Sequence, residues 1–572
     1  MKKDFLTGFV LCCLLGMFTQ TVRALELPTL NWTQRSDWVN VKTDVSPAAV
    51  GDGVADDTTA IQAAINMTKT QGIKTVYFPP GTYRITQTLD VGTQDWYSDN
   101  VAFIGHGKTT VLKWDGAVDG TMLLDIGSHR NQFIGFVFDA NNKAGIGIDL
   151  NQVTRQSELT YRYLEFKGFS SHGMRTGQGT TYISESEITN CIFRDCGVGL
   201  GIYAWNDYNI NILDCEFIHN GIGIHADKGN ATIRQCHFEA STETDFKYGN
   251  DVPHSIRRST SYGSARFISG DVLNRFTTSV DVQDCQVGGW TDPDGAIHYV
   301  HLGTNQVYDT VFSDAPTSVP PILLGNRNDY TQQLITSANE FETGTDEYTP
   351  SNNYQASSVP AGLRNRSLIS PHQRFFRQSV RIPGQVFDAM AYGAVGDNVA
   401  DDTAAIQATI DAAAAAGNWA IAYIPAGKYR ITSPLIVDGG EYYVGGSGYS
   451  SRLYWDGGSN SCIMSVSNPQ DVVIELLSFE AANDLDNTYD IYMTGGSGTQ
   501  KITLDRVWGY TQYGHVTTND GDKGIKFESL PTGALVNLRR YAGYLTFENC
   551  SQATNICTFF DGQVNIGGNS AK

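Results

Sequence analysis

Hydrophobic and polar positions repeat in short runs along the first half of the chain. A six-residue pattern, apolar–x–x–residue–x–Phe, ends successively at Phe138, Phe166, Phe193, Phe217 and Phe238, with weaker copies that end at Ser261 and Val287. The copies lie 21 to 28 residues apart. One turn of chain this short cannot bury its own inward face, so the repeat predicts an all-β solenoid of stacked coils.

Cysteine occupies the fourth position of this pattern in four copies, at Cys191, Cys215, Cys236 and Cys285. A thiol in a protein core behaves as a small apolar group. If the coils stack in register, Cys191, Cys215 and Cys236 form a ladder inside the solenoid. We therefore predict free, buried cysteines and favour them over disulfides, which a chain of this size does not need.

A second pattern, of helical period, occurs twice. The sequence GDGVADDTTAIQAAI begins at Gly51, and a near copy, GDNVADDTAAIQATI, begins at Gly396. In each copy, apolar residues at helical spacing follow an aspartate, Asp57 or Asp402, whose carboxylate is expected to cap the first turn. About 90 residues recur in the same order, which indicates two homologous domains. Each helix is expected to cover the open end of its own first coil.

The two patterns divide the chain into domains. We predict a first β-helix domain over residues 25–341, a connection over 342–386 that is rich in Ser, Asn, Pro and Thr, and a second, shorter β-helix domain over 387–572.

The N-terminus has the features of a secretion signal. Two lysines precede an apolar run at residues 5–18, and small residues stand at Val22 and Ala24, before a plausible cleavage site. The run is too short to span a bilayer. We predict that residues 1–24 are a signal peptide, that the protein is secreted or periplasmic, and that no later segment spans a membrane.

Composition narrows the class of protein further. Only 17% of the 572 residues are charged and 59 are glycine, which is typical of secreted all-β proteins. The formal net charge of −20 disfavours nucleic acid as a partner. There is no CxxC pair and no His-rich cluster, so no metal site is expected, and we expect a monomer.

The opening of each domain resembles a known superfamily. The run from GDGVADDTTAIQAAI to VYFPPGTYRI resembles the first module of pectate-lyase-like and polygalacturonase-related proteins, which implies a right-handed parallel β-helix. That superfamily contains glycoside hydrolases, polysaccharide lyases, epimerases and phage tail spikes, so the resemblance indicates the fold more than the reaction. Two such modules in tandem resemble family-55 glycoside hydrolases, which are β-1,3-glucanases with two β-helices side by side.

One short motif departs from the superfamily. Polygalacturonases carry a Gly-His-Gly in their site, and this chain has IGHG at residues 104–107. Here the motif lies in the early module, between the first strands. We therefore interpret it as a Gly-rich turn and His106 as non-catalytic.

A strip of candidate substrate-binding residues follows from the coil register. About eleven residues after each fourth-position residue comes a Gly-rich strand, and one predicted column contains Arg175, Tyr203, His225, Lys247 and, later, His298. The neighbouring column contains Trp205 and Asp227.

Each residue type of this strip suits a sugar substrate. Aromatic rings such as Trp205 and Tyr203 stack on sugars. Asp227 would be a catalytic acid or base, and the cationic residues of the strip would pair with carboxylates or sulfates of the substrate. The alternative is an ordinary solvated outer face.

A second candidate strip lies in the shorter domain. Glu480 follows LLSF at the position equivalent to Asp139, and Asp505 and Trp508 come one coil later. Glycoside hydrolysis needs two carboxyl groups on either side of the scissile bond, and adjacent coils are about 4.8 Å apart. Glu480 and Asp505 are therefore candidates for acid and base, with Trp508 as a stacking residue. The alternative is that Glu480 is a turn residue.

Three functions remain open from the sequence. We favour a secreted glycoside hydrolase that degrades a polysaccharide, with β-1,3-glucan as the expected substrate and no cofactor. A polysaccharide lyase acting on an acidic glycan is the first alternative, in which Lys247, His225 or Arg175 neutralises a uronate and calcium is the expected metal. A non-catalytic carbohydrate-binding protein or adhesin is the second.

Overall fold

The computed structural model describes most of the chain from residue 26 onward. The described ranges are 26–69, 73–92, 100–125, 129–150, 155–177, 182–204, 207–249, 252–270, 278–300, 303–314, 320–325, 332–341, 346–348, 354–358, 382–481, 488–496, 500–509, 524–550, 554–557 and 560–567. The predicted signal peptide at 1–24 and the predicted stacking residue Trp205 lie outside these residues.

Short strands dominate the fold, as the repeat predicts. The strands before residue 360 are β1 (Trp38–Asn40), β2 (Asp52–Asp56), β3 (Thr75–Tyr77), β4 (Gly81–Ile85), β5 (Leu89–Asp90), β6 (Ala102–Ile104), β7 (Thr110–Trp114), β8 (Thr121–Leu124), β9 (Gln132–Asp139), β10 (Ile146–Asp149), β11 (Arg155–Ser157), β12 (Thr160–Lys167), β13 (His172–Arg175), β14 (Tyr182–Ser184), β15 (Glu187–Thr189), β16 (Ile192–Arg194), β17 (Val198–Ile202), β18 (Ile210–Leu213), β19 (Glu216–Ile218), β20 (Ile222–Ala226), β21 (Ala231–Arg234), β22 (His237–Glu239), β23 (Thr244–Tyr248), β24 (His254–Arg257), β25 (Thr260–Tyr262), β26 (Ile268–Gly270), β27 (Val280–Gln283), β28 (Gln286–Gly288), β29 (Ile297–Tyr299), β30 (Thr304–Tyr308), β31 (Val311–Ser313), β32 (Ile322–Leu324), β33 (Gln332–Ser337) and β34 (Tyr354–Ser358).

The remaining strands belong to the C-terminal part of the chain. They are β35 (Val386–Asp388), β36 (Asp397–Asp401), β37 (Ala420–Ile424), β38 (Gly427–Ile431), β39 (Leu435–Asp438), β40 (Glu441–Gly446), β41 (Ser451–Trp455), β42 (Cys462–Ser467), β43 (Asp471–Ala481), β44 (Tyr489–Thr494), β45 (Lys501–Gly509), β46 (Ile525–Glu528), β47 (Leu535–Glu548), β48 (Thr554–Cys557) and β49 (Phe560–Gly567). Helices α1 (Thr58–Met67) and α2 (Thr403–Ala416) and two 3₁₀ turns, Ala389–Tyr392 and Gly448–Ser450, complete the described elements.

The strands form parallel sheets that run along the stack of coils. Ten strands, β5, β8, β10, β13, β17, β20, β23, β26, β29 and β32, make one sheet, here called the ten-stranded sheet, and 22 of the other strands before β35 make a second. Strands β35 to β49 make a separate sheet of 15 strands. The chain is therefore an all-β parallel solenoid with few helices.

A column of stacked phenylalanine rings confirms the predicted coil register. Phe138, Phe166, Phe193, Phe217 and Phe238 pair in sequence across neighbouring coils. Their ring centroids lie 4.9 to 5.0 Å apart and the planes of the stacked rings are nearly parallel. The weaker copies at Ser261 and Val287 continue the same column.

The cysteine ladder is also present. Cys215 lies between Cys191 and Cys236, and the three thiols interact inside the core. Burial raises the pKa of the Cys215 thiol well above its usual value, and its two thiol neighbours raise it further. These cysteines are free, as is Cys285, so the prediction of unpaired buried thiols is confirmed.

A single left-handed residue precedes the fourth position of successive coils. The backbone has φ of 52 to 61° at Asn190, Asp214, Gln235, Arg258 and Asp284. This conformation lets the chain turn a sharp corner within one residue. Each coil therefore changes direction between its two short strands without a loop.

The two helices lie against the first strands of their own sheets. Ile61 and Ile65 of α1 belong to the core beneath β1 to β34, and Ile406 and Ile410 of α2 belong to the separate core beneath β35 to β49. The apolar stripes predicted from the sequence are thus buried. The helices begin after Asp57 and Asp402, as expected.

The predicted capping role of these aspartates is wrong. Neither side chain caps its helix. The Asp57 carboxylate instead accepts the backbone N–H of Val50 at 2.6 Å and that of Gly51 at 3.2 Å. Asp402 repeats this arrangement with Val395 and Gly396. The carboxylates turn away from the helices because they hold the preceding loops, whose N–H groups have no strand partner.

Candidate functional site

The outer face of the ten-stranded sheet carries most of the first predicted strip. Strand pairing places Asp149, Arg175, Gly201, His225, Lys247, Ser269 and His298 in one column, one residue per coil. Four members of the predicted column, Arg175, His225, Lys247 and His298, are therefore in register. The exception is Tyr203, whose predicted position belongs to Gly201.

Tyr203 nevertheless reaches the column with its ring. A Cβ on Gly201 would lie 2.3 Å from Tyr203 Cε2 and 2.8 Å from the Tyr203 hydroxyl oxygen. The ring folds back over Gly201 and occupies the space that a side chain there would fill. The sequence thus assigned the right side chain to the strip but the wrong backbone register.

The Tyr203 hydroxyl lies between two imidazoles. It is 2.7 Å from His172 Nε2 and 3.3 Å from His225 Nδ1. Both rings meet the tyrosine edge to face, with centroids 5.5 and 5.2 Å from that of Tyr203. His172 Nδ1 is in turn 2.7 Å from the hydroxyl of Ser171. We call His172, Tyr203 and His225 the His–Tyr cluster.

The electrostatics of the cluster favour neutral groups. Burial lowers the pKa of His172 to about 4, and the charge of Arg175 adds to the shift. Burial raises the pKa of the Tyr203 phenol, and Asp227 raises it further against the effect of Arg175. At neutral pH the cluster therefore pairs an imidazole that can accept a proton with a phenol that keeps its own.

Arg175 and Lys247 of the column already have carboxylate partners, and His298 contacts an arginine. Arg175 forms two contacts with Asp149, at 3.0 and 2.8 Å. Lys247 lies 2.6 Å from Glu243. His298 Nδ1 is 2.9 Å from Arg266, which also contacts Asp292.

A buried aspartate holds the chain at the end of β17. Asp207 accepts hydrogen bonds from the Thr176 hydroxyl at 2.5 Å and from the Ala204 N–H at 3.0 Å, and Thr176 Oγ1 accepts the Tyr203 N–H at 2.8 Å. Burial raises the pKa of Asp207 to about 7, although its hydrogen bonds oppose the shift. These contacts fix the backbone from which the Tyr203 ring projects.

Asp227 follows β20 directly and is partly exposed. Its neighbour Ala226 pairs with Ile202 and Tyr248, so Asp227 lies next to Gly249. Asp227 is two residues beyond His225 of the His–Tyr cluster, and its charge contributes to the raised pKa of Tyr203.

The second predicted strip is not assembled as expected. Register pairs Asp505 with Glu475, while Glu480 pairs with Tyr454. Glu480 is five residues further along β43, beyond a left-handed bend at Leu476. The predicted acid–base pair of Glu480 and Asp505 is therefore not formed by neighbouring residues.

Each member of that strip also has another role. Glu480 is buried between Lys428 at 2.8 Å and Arg452 at 3.3 Å. Its equivalence to Asp139 is confirmed, because both pair with the matching residue of the preceding WDG strand. Trp508 is buried and donates its indole N–H to Glu158 at 3.1 Å, so it packs against the N-terminal coils instead of facing solvent.

Asp505 lies in a buried ionic contact between the two parts of the chain. Its carboxylate is 3.2 Å from Arg506 and 3.7 Å from Arg162 of β12. Arg506 also donates to Gln132 of β9 at 2.6 Å. Burial alone would raise the pKa of Asp505, but Arg506 and Arg162 outweigh it and the net shift is downward.

His172 and Glu475 are the principal residues that sequence reasoning missed. In the column of His172 the neighbouring coils have Ile146, Val198 and Ile222. A histidine between coils that have β-branched apolar residues at the same position is a signal that the sequence does contain.

His106 lies in the turn predicted for it. It is buried, and its Nε2 is 2.8 Å from the Tyr77 hydroxyl.

Among the described residues, no three His, Cys, Asp or Glu side chains come together as a set of metal ligands. The expected lack of a cofactor, or calcium in a lyase, stays a prediction. No helix in the described ranges has both the length and the apolar character needed to cross a membrane.

Comparison with known proteins gives a family match and partial relatives. A family model described as "Rhamnogalacturonase A/epimerase, pectate lyase-like" matches residues 38–258 and 386–454, just over half of the chain. Mannuronan C5-epimerase AlgE5 of Azotobacter vinelandii is 30% identical over 140 residues, which are 21% of this chain and 14% of that protein. Alginate lyase 7 of the same organism is 30% identical over 141 residues, 21% of this chain and 16% of that protein.

The chain thus spans only a small part of these relatives. Among solved structures, the A-module of mannuronan C-5 epimerase AlgE4 from Azotobacter vinelandii aligns with a TM-score of 0.38 and 16% identity, covering 56% of this chain and 100% of that one.

Proposed function

The chain belongs to the rhamnogalacturonase A/epimerase, pectate lyase-like family, and from that premise we propose that it modifies an acidic polysaccharide by removing the C5 proton of a uronate residue. The observation that carries this proposal is the Tyr203 hydroxyl, held 2.7 Å from His172 Nε2 and 3.3 Å from His225 Nδ1 on the outer face of the ten-stranded sheet.

The cluster supplies a proton relay. The Tyr203 oxygen takes the C5 proton while its own proton passes to His172 Nε2. The phenol is never left ionised, so its raised pKa is no obstacle to the step. The negative charge moves onto the uronate carboxylate, where the nearby guanidinium of Arg175 stabilises it. The uronate carboxylate itself raises the proton affinity of His172 when it binds.

Two reactions can follow. If the relay runs backwards and Tyr203 gives its proton to the glycosidic oxygen at C4 as that bond breaks, the product is an unsaturated sugar and His172 is neutral again. If water on the opposite face of the sugar ring gives a proton to C5, the product is an epimer, and the hydroxide that remains takes the proton held by His172. Both outcomes begin with loss of the C5 proton, and the names of the relatives include one enzyme of each kind.

The test is an assay on polygalacturonate, alginate and a neutral β-1,3-glucan in deuterated water. We expect deuterium at C5 of a uronate, or an unsaturated product with its ultraviolet absorbance, from the acidic polymers alone. Tyr203→Phe and His172→Ala should abolish both signals. Tyr208→Phe, which changes an exposed tyrosine in the same coil, should leave them unchanged. Full activity in Tyr203→Phe would overturn the proposal.

Hydrolysis is a second candidate, favoured by one observation. Glu475 pairs in register with Asp505, and burial raises the pKa of Glu475 whereas that of Asp505 is lowered. Two carboxyl groups with pKa values moved apart are what an acid–base hydrolase needs. Reducing ends released from the neutral glucan without unsaturated product, and lost in Glu475→Gln, would favour hydrolysis over C5 proton removal.

We also propose the architecture expected from the sequence, two tandem β-helices. Separate sheets and separate cores for β1 to β34 and β35 to β49 support two tandem right-handed β-helices. The burial of α1 and α2 in these two cores supports one covering helix for each. The predicted boundaries at 341 and 386, export by the N-terminal segment and a monomeric state remain our expectations. Strand β34 continues the first series of coils to Ser358.

A further inference from the structure

A second polar strip lies on a different sheet from the His–Tyr cluster. Strands β21, β24, β27 and β30 pair in register, and apolar residues that face the core alternate with outward polar ones along each strand. One outward column contains Arg234, Arg257, Gln283 and Tyr308, and the column beside it contains Thr232, Ser255, Asp281 and Gln306. We call these eight residues the arginine strip.

Two arginines in this strip stand directly side by side. Arg234 and Arg257 occupy the same position in adjacent coils, which are about 4.8 Å apart. Both side chains are exposed. Like charges at neighbouring positions of a sheet repel. Although Arg234 as a whole is exposed, partial desolvation of its guanidinium lowers its pKa, and the charge of Arg257 lowers it further. The fold therefore keeps two positive charges that repel each other side by side.

These two arginines differ from the others in the same coils. Among residues 84–266, every other arginine whose side chain is described has a carboxylate within 4.0 Å: Arg84, Arg130, Arg162, Arg175, Arg194, Arg258 and Arg266. Neither Arg234 nor Arg257 has such a partner among the described residues. Acidic side chains are abundant in a chain with a net charge of −20. Two adjacent guanidinium groups that have no carboxylate partner among the described residues are therefore available for an external anion.

The rest of the strip suits a sugar chain. Thr232, Ser255 and Gln283 present neutral hydrogen-bonding groups at the same face. Tyr308 is partly exposed and its hydroxyl donates to Gln306 at 2.8 Å, which leaves its ring at the end of the arginine column. The one carboxylate of the strip, Asp281, has an oxygen without a hydrogen-bond partner.

We propose that the arginine strip is a second binding site, separate from the His–Tyr cluster, that takes the uronate carboxylates of an acidic glycan through Arg234 and Arg257. Guanidinium groups bind carboxylates in a bidentate manner, and a coil rise of about 4.8 Å is close to the length of one pyranose unit. The neutral hydrogen-bonding groups of Thr232, Ser255 and Gln283 beside the two arginines suit a hydroxyl-rich glycan better than a polyphosphate. The site holds a polymer without acting on it.

The test is a binding measurement that needs no turnover. Polygalacturonate, the neutral β-1,3-glucan laminarin and double-stranded DNA are titrated into the full chain by calorimetry. The variant Arg234→Gln/Arg257→Gln should bind polygalacturonate at least about 10-fold more weakly. Asp281→Asn removes a negative charge beside Arg257 and should bind it more tightly. Arg258→Gln is the matched control, because that arginine is already paired with Asp284.

The outcomes separate this inference from the proposed reaction. Loss of binding in the double variant, with unchanged turnover of short oligomers and an unchanged melting temperature, supports the second site whatever reaction the protein catalyses. Equal binding by the double variant and the wild type overturns it. Equal affinity for DNA and polygalacturonate, or an effect of Arg258→Gln as large as that of the double variant, also overturns it.

Discussion

Gly201 offers a direct test of the His–Tyr cluster, because the ring of Tyr203 occupies the space beside it. We predict that Gly201→Ala inactivates the protein without unfolding it. The new methyl carbon would lie 2.3 Å from Tyr203 Cε2 and 2.7 Å from Cζ. Carbon atoms in contact are about 3.5 to 4.0 Å apart. Gly201 has no positive φ, so an alanine there fits the backbone and only the ring must move.

The geometry sets the size of the effect. The ring must retreat by more than about 1 Å to restore ordinary contact. The hydroxyl then moves from 2.7 Å to nearly 4 Å from His172 Nε2, which is too far for a hydrogen bond. A positioned acid–base group contributes about 10²- to 10⁴-fold to rate, or about 3 to 5 kcal/mol of activation free energy. We expect Gly201→Ala to lose that much in kcat, and Tyr203→Phe to lose a similar amount.

The assay is turnover of an acidic polymer by the proposed reaction, together with a thermal denaturation curve. Gly458→Ala is the matched control, since nothing lies within 4 Å of a Cβ there. If Gly201→Ala retains activity within about twofold of the wild type while its melting temperature is unchanged, the ring is not held where the reaction needs it and the reasoning fails.

Three further predictions concern pH, packing and charge. Because the pKa of His172 is lowered to about 4, kcat/KM should fall only as the pH drops through about 4. Arg175→Gln removes a positive charge beside His172 and should move this acidic limb of the pH profile to higher pH. An acidic limb that does not move would exclude His172 as the proton acceptor. Phe217 is buried between two stacked rings. Phe217→Ala should therefore lower the free energy of unfolding by about 3 to 5 kcal/mol, and Phe217→Leu by less than half of that. Equal losses of unfolding free energy for the two variants in denaturant melts would contradict a packed column. Arg506→Gln removes a positive charge that compensates the buried Asp505 carboxylate, and it should lower the free energy of unfolding by about 3 kcal/mol at neutral pH. This loss should shrink as pH falls through the lowered pKa of Asp505, because protonation removes the buried charge; a loss independent of pH would refute the charge argument.

The repeat in the sequence predicted the fold well because one physical requirement recurs in every coil. Phe193 and Phe217 had to be equivalent, since each coil buries the same inward position against the next. The corners between the strands were not predicted. Their left-handed residues include Asn190 and Asp214, which favour that conformation, but also Gln235 and Arg258, which do not. No residue type marks the corner.

The site was harder to predict than the fold, because small differences in coil length decide which side chains meet. Arg175 lies eleven residues after Leu164, whereas Gly201 lies ten and Tyr203 twelve residues after Cys191, so an offset of about eleven residues did not decide which of the two occupies the column position. In the C-terminal part, the bend at Leu476 shifts Glu480 away from the register of Asp505.

The one-residue corner has a consequence for how such a protein changes size. Each corner joins two short strands through one residue of similar left-handed φ, and successive corners, as at Asp214 and Gln235, are one whole coil apart along the chain. A segment of chain between two equivalent corners can therefore be removed or duplicated while the coils on either side keep their geometry. The length of the molecule, and with it the extent of its outer faces, is a quantity that insertion and deletion can adjust in steps of one turn.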